Sequence, residues 1–305
     1  YPRNIMRPTD RTGLAIILSL VALTLFDAMG LIIKHLANDY SAAQLSAWRN
    51  MFGLIPAVIA LCSSQAWRIN GKRLKLRQWK LALFRGAVVT FAQLCFYLSL
   101  GLMDFATAST ITYASALFAT AMAIPILGER VGWLRWIAVL IGFVGVIMVI
   151  KPGGDGFTFY ALLPFAAAAF YALVGVTARL FDNDAPSSLV NLYSSIAAAI
   201  GASLIAYLWG GFIPLASKTD LAWIALMGGF GGTAVLILMI SFRMTEQSNL
   251  APFSYFGIPL AFGLGWLFFN ETPWSTLFPG AVLIATGGLL IVWRERTRSK
   301  HSETW

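Results

Sequence analysis

The stretch Gly13–Ile33, GLAIILSLVALTLFDAMGLII, decides the fold class of this chain. It is almost wholly apolar, and a helix of about 20 residues crosses the roughly 30 Å hydrocarbon core of a bilayer. Nine similar stretches follow it, which predicts an all-α integral membrane protein. The ten predicted spans are Gly13–Ile33, Ala43–Cys62, Leu81–Leu100, Ala106–Leu127, Trp133–Ile150, Phe157–Leu180, Leu189–Trp209, Leu221–Phe242, Leu250–Phe269 and Thr276–Trp293.

The composition agrees with a protein that lies mostly inside a membrane. Hydrophobic residues make up 58% of the chain and charged residues only 11%. The connections between spans are short, so a soluble catalytic or regulatory domain has no room and function must lie between the helices. The net charge of +9 comes mainly from Lys and Arg beside the spans. There they set membrane orientation, so we expect membrane lipid and no nucleic acid as a partner.

The distribution of basic residues predicts the topology. The loop from Ser63 to Lys80 carries six Lys and Arg residues, and the tail after Trp293 carries four more. The opposite side receives only three basic residues, which are Lys34, Lys151 and Lys218. The positive-inside rule then places both termini in the cytoplasm, as an even number of spans requires. Residues 1–12 and 294–305 are the predicted cytoplasmic tails.

An internal repeat emerges when the chain is compared with itself at a shift of 142 residues. Span boundaries and loops stay in register from about Phe84 to Met148. Each repeat then holds five helices, at 13–150 and 157–293, and an odd number inverts the second copy. We therefore expect two inverted five-helix repeats around a central cavity, with Glu129 at the cytoplasmic face and Glu271 at the outer one. Aligned identities include Gly86 with Gly228, Ala92 with Ala234, Ser99 with Ser241, Tyr113 with Tyr255, Ala119 with Ala261, Glu129 with Glu271 and Gly145 with Gly287.

Two matching segments resemble a known family. Ala123–Trp133, AIPILGERVGW, and Gly265–Trp274, GWLFFNETPW, resemble the helix-turn-helix with a turn Glu that closes each half of EamA-type proteins, members of the drug/metabolite transporter superfamily. Lys34, Arg49 and Arg179 add to the similarity. The resemblance implies a five-plus-five helical transporter with a central cavity. Such proteins commonly export amino acids or other small metabolites, as the YddG-type exporters of aromatic amino acids do.

Asp27 departs from the family pattern, because members often carry an aromatic-small pair where this chain has Phe26-Asp27. An ionised carboxylate in hydrocarbon costs several kcal/mol, so it is paired, protonated or in contact with a water-filled path. At 1.5 Å per residue from Gly13, Asp27 lies about 21 Å in, or roughly 9 Å below the outer boundary, and Arg49 reaches a similar depth. Two interpretations remain open: an Asp27–Arg49 ion pair, or a site for a substrate ammonium or a proton.

Further polar side chains are candidates for a substrate site. Lys34 either extends to the outer interface or holds a substrate carboxylate. Gln93 and Tyr97 share one helix face and are expected to point inward. Tyr113 and Tyr255 occupy equivalent places in the repeats, although hydroxyl residues of those spans also suit close helix packing. The predicted substrate-binding set is Asp27, Lys34, Arg49, Gln93, Tyr97, Tyr113, Tyr171 and Tyr255.

No cofactor, metal or enzymatic activity is predicted. The glycines at 228, 229, 231 and 232 follow no strand and precede no Walker lysine, so they suit helix packing better than phosphate binding. The two cysteines and two histidines suggest neither a disulfide nor a metal site, and the spans contain no nucleophile with a base. Without an ATP-binding motif, active transport would draw on an ion or solute gradient.

The sequence therefore predicts an exporter of the bacterial inner membrane that works by alternating access. Its expected substrates are amino acids, with hydrophobic and aromatic ones preferred, and related small metabolites. A proton-coupled multidrug exporter of organic cations, with Asp27 as the titrating group, is one alternative, and a nucleotide-sugar-like transporter is another. Both a homodimer and a monomer are compatible with the sequence.

Overall fold

The computed structural model describes residues 12–69, 71, 73–128, 133–150, 159–182, 185–244, 250, 253–272 and 274–302. Within these ranges every regular element is a helix and none is a strand, which confirms the all-α prediction. The α-helices are α1 (Thr12–Leu36), α2 (Ala42–Ser63), α3 (Gln65–Ile69), α4 (Trp79–Leu102), α5 (Phe105–Thr112), α6 (Ser115–Leu127), α7 (Trp133–Ile150), α8 (Leu162–Thr177), α9 (Ser187–Leu208), α10 (Lys218–Met244), α11 (Gly257–Phe269), α12 (Trp274–Leu277) and α13 (Gly280–Ser302).

Seven segments of the described chain are long and apolar enough to cross a bilayer. They are α1, α2, α4, α5 with α6, α8 with its flanking 3₁₀ turns, α9 and most of α10. Three further apolar helices are shorter, at Trp136–Ile150, Gly257–Phe269 and Gly280–Leu290, and each lies within one of the other three predicted spans. The chain is therefore a multi-pass membrane protein.

Two spans are interrupted at matching positions. The fourth span turns at Tyr113 and Ala114 between α5 and α6, and the ninth turns at Tyr255 and Phe256 before α11. Both spans then end on a residue in the left-handed conformation, Gly128 with φ 68° and Asn270 with φ 56°. This conformation ends a helix by turning the chain, and glycine and asparagine adopt it most readily. Each cap precedes a turn glutamate, of which Glu129 lies outside the described residues.

Glycines let the helices approach closely. A Cβ added at Gly86 of α4 would lie 2.5 Å from the Ser194 carbonyl oxygen of α9, and one at Gly228 of α10 would meet the Phe52 Cβ of α2. Three glycines of the run in α10, Gly228, Gly231 and Gly232, are thus packing positions, as the sequence context indicated.

Helices α7 and α13 pack against each other. A Cβ added at Gly145 would lie 2.6 Å from the Gly280 carbonyl oxygen, and one at Gly287 would lie 2.6 Å from the Ala138 carbonyl oxygen. None of the described residues that line the central cavity belongs to α7 or α13. The cavity is built by the remaining long helices.

Candidate functional site

A cavity of about 540 Å³ lies between the long helices. Most of its lining is apolar, with a few charged, amide and hydroxyl side chains. Six of the eight predicted site residues line it, and Lys34 and Tyr255 do not. The six are Asp27, Arg49, Gln93, Tyr97, Tyr113 and Tyr171.

Helix α4 provides one continuous wall of the cavity. Its lining residues are Arg85, Val89, Gln93, Phe96 and Tyr97, which recur every three or four positions and so share one helix face. Helix α9 contributes a second face of the same kind. This periodicity explains why Gln93 and Tyr97 point inward, as the sequence indicated.

A buried hydrogen-bond network holds Arg49 at the cavity wall. Gln93 Oε1 accepts hydrogen bonds from Asn50 Nδ2 at 2.6 Å and from Ser46 Oγ at 3.0 Å. Gln93 Nε2 donates to Asn50 Oδ1 at 3.3 Å, and Arg49 Nη1 donates to the same oxygen at 3.1 Å. The network joins α2 to α4, because buried amides need partners on a neighbouring helix.

Asp27 and Arg49 form no ion pair within 4.0 Å, so the predicted structural pair is wrong. Asp27 is only 7% exposed, and neither its Oδ2 atom nor Arg49 Nε has a hydrogen-bond partner. The rise per residue gave their depth in the membrane but not their direction around each helix. Arg49 instead donates a hydrogen bond to Asn50, and the Asp27 and Arg49 side chains both line the same cavity.

Lys34 is paired with an acid from a distant turn. Its Nζ lies 2.5 Å from Glu271 Oε1 and donates to the Met103 carbonyl oxygen at 2.7 Å. Glu271 Oε2 accepts from the Phe105 amide N–H at 2.7 Å. Lys34 is not among the described residues that line the cavity, and its ammonium is held by Glu271 and the Met103 carbonyl oxygen. Its place at the outer interface and its contact with a substrate carboxylate both stay predictions.

The tyrosines divide into two groups. Tyr97, Tyr113 and Tyr171 line the cavity, and the buried Tyr97 hydroxyl has no hydrogen-bond partner. Tyr255 is also buried with an unpartnered hydroxyl, but its ring packs against Gly288 of α13. Equivalent positions in the two repeats therefore differ here, and Tyr255 is not among the described residues that line this cavity.

Three lining residues with a charged or amide side chain were missing from the predicted set: Asn50, Arg85 and Asn191. Each falls inside a predicted span, at Ala43–Cys62, Leu81–Leu100 and Leu189–Trp209, and a polar residue at that depth was the available signal. Arg85 lies close in sequence to a basic loop, and Asn50 lies next to Arg49, so neither was recognised as a separate site residue.

Metal ligands are not grouped in the part of the chain that the structure describes. No three His, Cys, Asp or Glu side chains there lie close enough to hold an ion. Cys62 and Cys95 are free thiols. The described lining of the cavity offers charged, amide and aromatic side chains for contacts with a ligand.

Membrane-length helices around a cavity that is mostly apolar, with a few convergent polar groups, define a membrane transporter. The chain belongs to the EamA-like transporter family, whose model matches residues 13–151 and 158–293. This confirms the resemblance to EamA-type proteins.

Relatives with named substrates extend over much of the chain. An S-adenosylmethionine uptake transporter of Rickettsia bellii is 25% identical over 92% of both chains. A pseudopaline exporter of Pseudomonas aeruginosa is 24% identical over 88% of this chain and 92% of the relative. A riboflavin transporter of Vibrio cholerae is 30% identical over 61% of this chain and 62% of the relative. A crystal structure with 17% identity and a TM-score of 0.64 covers 93% of this chain and 98% of its own, which shows a shared fold.

Proposed function

We propose that this protein exports amino acids and amino-acid-derived metabolites, preferably aromatic or hydrophobic ones, across the bacterial inner membrane by alternating access. The observation that carries the proposal is a pair of oppositely charged side chains on the wall of one cavity, Asp27 and Arg49, each with a buried polar atom that has no hydrogen-bond partner, Asp27 Oδ2 and Arg49 Nε. Charged groups whose polar atoms lack partners are costly in an apolar site. A zwitterion satisfies both at once.

The cavity chemistry assigns a role to each group. Arg49 receives the substrate carboxylate, for which a planar guanidinium offers parallel N–H donors. Asp27 receives the ammonium, and Tyr97, Tyr113 and Tyr171 surround the side chain with aromatic surface. The Gln93–Asn50 network keeps Arg49 in position. The chain accordingly acts as a transporter and not as an enzyme.

The relatives support a substrate of this class. S-adenosylmethionine, which the Rickettsia relative takes up, is itself an amino acid that carries an aromatic base. The relatives include proteins named for uptake and for export, so the direction of transport belongs to the proposal.

Two inverted repeats, at 13–150 and 157–293, are proposed as the basis of alternating access. Contacts between helices support this symmetry at the shift of 142 residues. The close approach of Gly86 to Ser194 becomes that of Gly228 to Phe52 when each residue is replaced by its repeat equivalent. In the same way, the close approach of Gly145 to Gly280 becomes that of Gly287 to Ala138. Both termini are then cytoplasmic, as the basic loops predict.

A proton-coupled exporter of organic cations is a second candidate, because the free Asp27 oxygen could alternate between a proton and a cation. Two arginines, Arg49 and Arg85, line the same cavity, whereas Asp27 is the one acid among its described lining residues. This excess of positive charge favours a ligand that carries at least one anionic group.

Reconstituted protein tests the proposal. Proteoliposomes are loaded with labelled phenylalanine, tyrosine, S-adenosylmethionine, riboflavin or a lipophilic cation, and efflux is measured with and without a pH gradient. We expect efflux of the aromatic amino acids or S-adenosylmethionine. Efflux of only the lipophilic cation, driven by the pH gradient, would select the second candidate. Transport of riboflavin alone would contradict the need for a zwitterion.

A further inference from the structure

Arg85 lines the same cavity as Arg49, at a different level along α4. On α4 it precedes Gln93 by eight positions on the same lining face, which is about 12 Å along the helix axis. Gln93 belongs to the network that holds Arg49. The cavity wall therefore carries two guanidinium groups at two different levels along α4.

The Arg85 side chain has unused hydrogen-bond donors. Its Nε donates to the Val174 carbonyl oxygen at 3.2 Å, and its guanidinium lies 5.7 Å from the centre of the Phe181 ring. A guanidinium has five N–H donors, so four remain. Among the described residues no carboxylate lies within 4.0 Å of Arg85, and its terminal nitrogens donate no hydrogen bond. The contacts that fix this arginine leave its terminal nitrogens available to a ligand.

Asn191 of α9 lines the cavity at the level of Arg85. Helices α4 and α9 run parallel here, because Ser194 Oγ donates to the Ala82 carbonyl oxygen and Thr90 Oγ1 donates to the Ala198 carbonyl oxygen. Asn191 lies one turn before Ser194 and so near the start of α4. Helical side chains lean toward their own N-terminus, which directs Arg85 to this level. The Asn191 amide makes no hydrogen bond within the described chain.

We propose that Arg85 and Asn191 form a second anion-binding subsite, which selects substrates with an acidic group at the end remote from the amino-acid head. The inference rests on the proposed function and names its substrate class: aromatic amino acids or conjugates that end in a carboxylate or phosphate. With the head at Asp27 and Arg49, an aromatic ring lies along the α4 wall at Val89, between Gln93 and Arg85. The terminal acid then meets the free Arg85 and Asn191 donors.

Three amino acids that differ at the remote end test the subsite. O-phosphotyrosine and 4-carboxyphenylalanine carry the acid as phosphate or carboxylate, and O-methyltyrosine is the neutral reference. Affinities are measured by calorimetry on the purified full-length protein in nanodiscs. We expect each acidic ligand to bind wild-type protein roughly tenfold or more tightly than the reference, since hydrogen bonds to charged groups are worth that much. In Arg85→Gln the ratio of the affinity for an acidic ligand to the affinity for the neutral reference falls to about one.

Two further variants separate charge from folding. Arg85→Lys keeps the positive charge and retains a ratio above one, whereas Asn191→Asp adds a negative charge and lowers the ratio. Elution as a single species in size-exclusion chromatography shows that each variant is folded. A wild-type ratio of one, or a ratio that Arg85→Gln leaves unchanged, overturns the proposal.

Phenyl phosphate distinguishes failure of the subsite from failure of the proposed function. It has the ring and the acid but no amino-acid head. If wild-type protein binds none of the three amino acids but binds phenyl phosphate, and Arg85→Gln alone abolishes that binding, the subsite stands and the amino-acid proposal falls. Equal binding of phenyl phosphate by wild type and Arg85→Gln, or no binding to either, counts against the subsite.

Discussion

Lys34 Nζ lies 2.5 Å from Glu271 Oε1, and this ion pair joins the end of α1 to the turn after α11. The same two side chains bind the backbone of the α4–α5 connection at Met103 and Phe105. Phe105 is almost fully buried, lines the cavity and packs against Gly30. The pair thus fixes the position of one end of the cavity.

Glu271→Gln is expected to destabilise the protein. The paired side chains are 14% and 12% exposed, so the substitution leaves the Lys34 ammonium largely out of water without its counter-charge. The expected loss is roughly 2 to 4 kcal/mol, measured as unfolding in mixed micelles. Asp104→Asn is the matched control, because this acid is exposed and close to the same turn. Equal stability of Glu271→Gln and the control would contradict the role of the pair.

Neighbouring glycines of α10 should respond oppositely to alanine. A Cβ at Gly228 meets Phe52 of α2, whereas nothing lies within 4 Å of a Cβ at Gly229. Gly228→Ala is expected to lower the melting temperature, with an overpacking cost of about 1 to 3 kcal/mol. Gly229→Ala should be neutral or stabilising by up to about 1 kcal/mol, because alanine favours the helix. Equal effects at the two positions would show that α10 does not pack closely on α2.

Gln93→Leu should weaken both stability and transport. The Gln93 amide accepts from Asn50 and Ser46, so its loss leaves buried donors unsatisfied at a cost of about 1 to 3 kcal/mol. Arg49 then loses the support of a fixed Asn50. Thr120→Val serves as control, since that hydroxyl bonds only within its own helix. If Gln93→Leu matched the control in melting temperature and efflux rate, the network would have no part in positioning Arg49.

The spans and the polar positions within them could be predicted from sequence, because hydropathy and helical periodicity are local properties. Spacing puts Gln93 and Tyr97 on one helix face, and the cost of a polar amide in lipid predicts that this face points inward. The structure places both residues on the cavity wall. Pairings across the bundle could not be predicted in the same way. Lys34 meets an acid from the ninth span, and no local pattern near Lys34 indicates that contact.

The remaining site contacts could not be predicted, because they depend on the direction in which a side chain points around its helix axis. Asp27 and Arg49 were placed at similar depths, but a few tens of degrees of rotation decide between a pair and two separate groups. The direction of the Arg49 side chain is set by its hydrogen bond to Asn50, which belongs to the Ser46–Asn50–Gln93 network. Tyr255 shows the same limit, since a matching position in the repeat did not give it the cavity contact of Tyr113. Repeat symmetry relates backbones more closely than side chains.

Cysteine labelling tests the inverted repeat. Lys75 and Ser217 are exposed and related by the shift of 142 residues, so inversion places them on opposite sides of the membrane. Cys62 and Cys95 are first replaced by serine. We expect a membrane-impermeant maleimide to label Ser217→Cys in spheroplasts and to reach Lys75→Cys only after the membrane is permeabilised. Labelling of both from the same side would exclude the inversion.

The most direct test of the central claim compares ligands that lack one half of the zwitterion. Binding of phenylalanine, 3-phenylpropionate and phenethylamine to the purified protein is measured by calorimetry for wild type, Asp27→Asn and Arg49→Gln. We expect wild type to bind phenylalanine at least about tenfold more tightly than either analogue. Asp27→Asn should remove the preference over 3-phenylpropionate, and Arg49→Gln should remove the preference over phenethylamine. Equal binding of all three ligands to wild type, or preferences that neither substitution alters, would contradict a zwitterion site at Asp27 and Arg49.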